Sequence, residues 1–254
     1  MKLGVSHLAW DIEESEEIFK FLRFNGINNI EGVLTKIDDW NNLSENTIHS
    51  YKNLLNSKSI NITSLQSLFY KTNINDLNDE EIFINHIKRL IKYGQILSIN
   101  TLVFGSPSLR KMTIATKNKI NYIFKEIDLL LQNTGIELSI EPNSKIYKGD
   151  FFYTLSEIIE FIEENKFKNI KTMIDTHNLI LEKQSPINDL QNYFKYINHI
   201  HVSENSLEPL SNFEFHFKFA EKIRYSKYNK HVIYEVKKSL NTKESINTFI
   251  NIYK

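Results

Sequence analysis

Eight times along its 254 residues the chain passes from a short β-branched run into a longer segment of helical period, with almost nothing left over. The runs are 3–6 (LGVS), 28–33 (NNIEGV), 60–66 (INITSLQ), 100–104 (NTLVF), 136–141 (IELSIE), 170–175 (IKTMID), 197–203 (INHIHVS) and 231–236 (HVIYEV). Helical patterns follow at 11–24, 43–55, 79–97, 113–131, 155–164, 187–196, 213–225 and 242–253. Local signals agree. The first helix opens on acidic residues, Ser44 is a cap for the second, Gly105-Ser106-Pro107 is a turn, and Pro142 stops the fifth run. One residue near each run's end (6, 31, 66, 105, 141, 175, 201 and 235) recurs at intervals of 25 to 39 residues. Strict alternation predicts a parallel sheet. Eight units in this length predict closure into a single (β/α)8 TIM barrel, one domain over 1–254. The runner-up, an open doubly wound sheet, requires a Gly-rich fingerprint after the first strand, and LGVSHLAW has one glycine.

Composition narrows the function. There is no cysteine, which excludes disulfides, iron–sulfur clusters and thiolate zinc sites. The 31 basic and 31 acidic side chains balance, so the electrostatic footprint of a nucleic-acid or anionic-membrane protein is missing. No apolar run has the ~18 residues of a membrane span and no signal segment precedes the first strand, so a soluble, cytoplasmic protein is expected. Ile (36), Asn (30) and Lys (27) dominate, a pattern of A/T-rich coding, so single Asn residues carry little functional weight. The four Arg and eight His carry more.

In a barrel of this kind the site lies at the C-terminal strand ends. The late strands end in Glu141, Asp175, His201 and Glu235, each after an apolar stretch. Neighbouring strands lie about 4.8 Å apart, so these four side chains can converge. Three carboxylates and an imidazole form a hard, mostly oxygen donor set. It suits one divalent ion, Mn²⁺ first, with Mg²⁺, Co²⁺ or Zn²⁺ as further options. A cation also relieves the repulsion of three clustered carboxylates. His199 falls on the same face as His201 and reads as a supporting or packing residue; His49, His86 and His231 read as surface.

The segments IEPN (140–143), MIDTHN (173–178), HIHVSEN (199–205) and IYEV (233–236) resemble the xylose isomerase-like barrel superfamily, the sugar phosphate isomerases/epimerases. LGVSHLAW (3–10), GINNIEGV (26–33), SLQS (64–67) and VFGSP (103–107) extend the resemblance over nearly the whole chain. It implies one metal ion held by Glu141, Asp175, His201 and Glu235. It also implies that Glu141 and Glu235 move protons on opposite faces of a metal-stabilised enediolate, with base and acid unassigned. Two departures stand out. Many members have His where this chain has Asn178, which can bind a hydroxyl but cannot titrate. The Arg that often follows the HVSEN-like segment is missing, which leaves Arg110 as the candidate for gripping a phosphate or carboxylate. His7, Trp10, Glu31 and Gln66 are expected at the mouths of the early strands, as hydrogen-bonding groups and an aromatic wall for a carbohydrate substrate.

AP endonucleases share the barrel and use three zinc ions. Glu214-Phe215-His216 matches their acid-x-His pair, yet Gln66, Gly105 and Asn178 stand where further ligands are needed. His216 is therefore assigned to substrate contact or a second ion. Dehydratase or lyase chemistry starts from the same enolate, and a non-catalytic barrel has no reason to keep buried carboxylates. The expectation is a metal-dependent sugar or sugar-phosphate isomerase/epimerase that binds neither nucleic acid nor membrane; a homo-oligomer is compatible with the sequence.

Overall fold

The computed structural model describes residues 1–74, 77 and 79–254. Its strands are β1 (Lys2–Ser6), β2 (Asn29–Val33), β3 (Asn61–Gln66), β4 (Thr101–Phe104), β5 (Glu137–Ile140), β6 (Ile170–Asp175), β7 (Ile197–Val202) and β8 (His231–Tyr234). Each pairs in parallel with the next, and β8 returns to β1 with Leu3 opposite Val232 and Val5 opposite Tyr234. The sheet is thus a closed (β/α)8 barrel, as the alternation predicts.

The outer helices are α1 (Ser15–Phe24), α2 (Glu45–Ser57), α3 (Glu80–Leu97), α4 (Ile114–Leu131), α5 (Leu155–Asn165), α6 (Thr176–Leu181), α7 (Pro186–Asn192), α8 (Phe213–Tyr225) and α9 (Thr242–Tyr253). Side chains set most of their starts. Ser44, Asp79, Thr113, Thr154 and Asn212 each accept a hydrogen bond from a first-turn N–H. The sixth connection departs from expectation. Where the periodicity gives one helix at 187–196, two short helices form, because Asp175 itself caps α6 and Ser185-Pro186 restarts the chain as α7.

Two layers of packing follow. Leu and Ile from the outward faces of the strands meet the helices, and an edge-to-face series of rings (Phe83, Phe104, Phe124, Phe152) runs beneath α3 to α5. Alternation turns the other strand residues into the barrel, and several of these are polar: Glu31, Ser64, Ser139, His199 and His201 are all wholly buried. Gly4 faces this interior, where a Cβ would lie 2.6 Å from Ile233 Cδ1 and 3.1 Å from the carbonyl oxygen of Asn29, so a larger residue would require both neighbours to shift. Among the described residues, no helix is long and apolar enough to cross a membrane.

Candidate metal centre

Asp175 is the last residue of β6 and His201 the penultimate residue of β7, while Glu141 and Glu235 stand one residue beyond β5 and β8. Their donor atoms all lie within 4.8 Å of one another. His201 Nδ1 is 3.3 Å from Glu141 Oε1, 3.3 Å from Glu235 Oε2 and 4.0 Å from Asp175 Oδ2. Ligands about 2.1 Å from an ion, at angles between octahedral and tetrahedral, stand about 3.0–3.4 Å apart, so the inner spacings suit a coordination sphere. His201 Nδ1 is buried and, among the described residues, has no well-formed hydrogen bond.

Each remaining carboxylate oxygen is tied back. Glu141 Oε2 accepts from Asn143 Nδ2 at 3.1 Å. Asp175 Oδ1 accepts from the backbone N–H of Asn178 at 2.7 Å, and its Oδ2 accepts from Ser203 Oγ at 2.8 Å. Gln66, with its amide turned to satisfy both ends, donates to Glu235 Oε1 at 2.7 Å and to Glu31 Oε1 at 3.1 Å while accepting from Ser6 Oγ. Gly105 clears room, because a Cβ there would lie 2.3 Å from Glu141 Oε2.

Beneath the cluster, His201 turns its other nitrogen, Nε2, to Glu31 Oε1 at 2.7 Å. Glu31 is wholly buried, accepts from Ser64 Oγ at 2.6 Å, and lies 2.8 Å from His199 Nε2. A carboxylate on the far nitrogen fixes the ring and strengthens it as a ligand. Electrostatics match. Burial opposes the charge on Glu31, but the two imidazoles outweigh it and hold this carboxyl well below its usual range. Burial, then the charges of Glu141 and Glu235, pushes Asp175 up to about 8. Burial likewise raises Glu235, against the pull of His201. The crowded carboxylates thus oppose one another's ionisation, and the oxygen-rich donors fit a hard divalent cation.

The sequence model of the xylose isomerase-like TIM barrel family matches residues 19–251. The chain belongs to this family. No curated protein matches it in sequence. Several solved structures superpose closely at low identity. The 3-keto-D-glucoside 4-epimerase of E. coli aligns with TM-score 0.80 and 17% identity, over 99% of this chain and 99% of that one. D-psicose 3-epimerase of Clostridium cellulolyticum H10 gives TM-score 0.80 and 13% identity, over 100% of both chains. AP endonuclease, family 2, from Brucella melitensis gives 0.77 and 13%, over 99% of both.

Within this xylose isomerase-like barrel, other expected site residues sit elsewhere than the mouth. Arg110 is wholly buried between the rings of Phe104 and Phe152, and its guanidinium donates to their carbonyls at 2.7 and 3.3 Å. It braces the loop after β4 instead of facing a substrate. His216 is also buried, with Nδ1 2.8 Å from Tyr253 Oη and Nε2 3.1 Å from Glu204 Oε1, so it joins α8 to α9 and to the loop after β7. Trp10 packs edge-on against Phe19 and donates to Ser15 Oγ at 3.1 Å. Glu31 and Gln66 serve the cluster from below. Asn178 accepts from the backbone N–H of Ser144 at 3.3 Å, joining the loops after β5 and β6. His231, expected at the surface, is buried, and burial lowers it to about 4.

His7 is wholly buried beside Trp10 and Tyr51, and among the described residues neither ring nitrogen has a partner. Sequence reasoning missed Tyr147, half-exposed on the turn Lys145–Tyr147 after β5. Partial burial, followed by the charges of Asp175, Glu141 and Glu235, keeps its hydroxyl protonated. It also left Asn143 and Ser203 without roles, although both lie inside the segments IEPN and HVSEN.

Proposed function

We propose that this chain is a divalent-metal-dependent isomerase or epimerase acting on a sugar or sugar phosphate. One observation carries the reading: three carboxylates from the ends of β5, β6 and β8 surround an imidazole nitrogen of β7 that lacks a well-formed hydrogen bond. Glu141, Asp175, His201 and Glu235 would hold the ion, Mn²⁺ being the best match to this donor set. When bound, the ion supplies Lewis-acid stabilisation of negative charge developing on adjacent substrate oxygens.

The protein's own groups do the proton work. The side chains of Glu141 and Glu235 are each 12% exposed, against 2% for Asp175 and 1% for His201. A substrate entering at the mouth therefore meets the two glutamates first. One oxygen of each is anchored, by Asn143 and by Gln66, which aims the other. The raised affinity of Glu235 for a proton suits a group that takes one from carbon and returns it. Glu141 and Glu235 on opposite sides of the substrate would give inversion or transfer at the carbon next to the carbonyl. Tyr147, half-exposed after β5, is the hydrogen-bonding group left for sugar hydroxyls.

A three-ion phosphodiesterase is less well supported. Its acid-x-His pair would need His216, whose two nitrogens face Tyr253 and Glu204, and Gln66 and Gly105 offer no imidazole. The test is solvent-deuterium exchange at the carbon beside the carbonyl, followed by NMR over a panel of ketoses and ketose phosphates with Mn²⁺. Exchange is expected in the wild type and should fall at least ~10²-fold in Glu141→Gln and Glu235→Gln. Full exchange in both variants removes their assigned role.

A further inference from the structure

The loops that follow β1, β2, β3, β7 and β8 enclose a cleft of about 540 Å³. Several of its lining residues are close chain neighbours of residues at the strand ends. Leu8 follows His7, Ser67 follows Gln66, and Lys237 stands two residues beyond Glu235, about 7 Å along an extended chain. Lys36 and Lys71 enter from the loops after β2 and β3. Ammonium groups from three separate loops thus line one cleft, which has a single lining carboxylate, Asp11.

That carboxylate is shared. Asp11 Oδ1 accepts from Lys36 at 2.7 Å and its Oδ2 accepts from Lys238 at 2.7 Å. Lys237 pairs with Glu208, which does not line the cleft. Lys71 lies 5.7 Å from the centre of the Tyr70 ring and, among the described residues, makes no ion pair. Paired surface lysines would account for Lys36 and Lys237 but not for Lys71, nor for the positive balance of the lining. A neutral sugar gains little from such a wall, whereas an anion gains charge-assisted hydrogen bonds and is steered toward it. Arg110, the sequence candidate for this task, is buried elsewhere.

We propose that this cleft is an anion subsite: Lys36, Lys71 and Lys237 hold a terminal phosphate or carboxylate of the substrate while its carbonyl end reaches the four-residue cluster. The carbonyl end depends on the function proposed above, and the anion end does not. The test uses the full chain loaded with Mn²⁺, titrated calorimetrically with inorganic phosphate, a ketose phosphate, the free ketose and a sugar acid. Phosphate should bind, and Lys71→Met and Lys237→Met should each weaken it roughly tenfold. The ketose phosphate against the sugar acid separates the two anions. Phosphate that fails to bind, or that binds equally to wild type and both variants, overturns the subsite. So does a free ketose exchanged with the same KM as its phosphate, which leaves the isomerase reading intact. Lysine-dependent phosphate binding with no exchange on any sugar sustains the subsite and removes the isomerase reading.

Discussion

His201 uses its two nitrogens differently. Nδ1 faces three carboxylates, and Nε2 is held by Glu31 from inside the barrel. Glu31 is accordingly more than buried charge; it orients the ligand and raises its basicity. Glu31→Gln should fold, because Ser64 and Gln66 can still bond the amide, yet bind Mn²⁺ about 10–100-fold more weakly. Competition with a fluorescent chelator reads this directly, and unchanged affinity would reduce Glu31 to packing. The sequence put Glu31 at a strand end and so suggested a substrate contact. Nothing in one sequence says that the second strand's carboxylate lies a layer lower than those of strands five, six and eight.

At the level of elements, Asp175 ends β6 and caps α6, so one carboxyl serves both the helix and the cluster. In the metal-free protein near neutrality it is protonated, as its rise to about 8 implies. Asn is as good a cap as Asp and resembles the protonated acid. Asp175→Asn should therefore keep the metal-free stability within about 0.5 kcal/mol while Asp175→Ala loses about 1 kcal/mol; both should lose metal binding. Chemical denaturation with and without Mn²⁺ checks the pair. Elements like these were legible because caps and β-branched runs are local. α8 and α9 begin and end where the periodicity puts them, and Ser44 caps α2 as expected. The four strand-end donors were legible for the same reason, since alternation fixes their direction. Arg110 and His216 were misjudged because their partners, the carbonyls of Phe104 and Phe152 and the hydroxyl of Tyr253, come from loop and helix packing that has no local signature. The lysine-lined cleft was invisible for a further reason: in a Lys-rich chain, three lysines 30 or more residues apart draw no notice until the barrel closes.

Across the whole molecule, closing the sheet stores polar groups inside it, and this sets a response to acid. Burial holds His7 near 3 and His231 near 4, whereas the same imidazoles in the unfolded chain titrate near 6.5. Between those values these two rings bind more protons in the unfolded state, so their contribution to stability is fully present above about pH 6.5 and is lost as pH falls, while Asp175, pushed up to about 8 when folded, works in the opposite direction. His7 alone contributes a slope approaching ~1.4 kcal/mol per pH unit in that window. Wild type should therefore lose more stability between pH 7 and pH 5 than His7→Asn does, as read from urea midpoints; equal losses would mean that this ring is not held neutral. The same closure gathers four donors from four strands at one point, and the functional reading depends on that convergence. Its most direct test is a count of ions: Mn²⁺ titrated into the metal-stripped chain, with free ion followed by electron paramagnetic resonance. One tightly bound ion per chain, lost in Glu141→Gln and Asp175→Asn, is the predicted result. No binding in excess Mn²⁺, or three ions per chain, would contradict it.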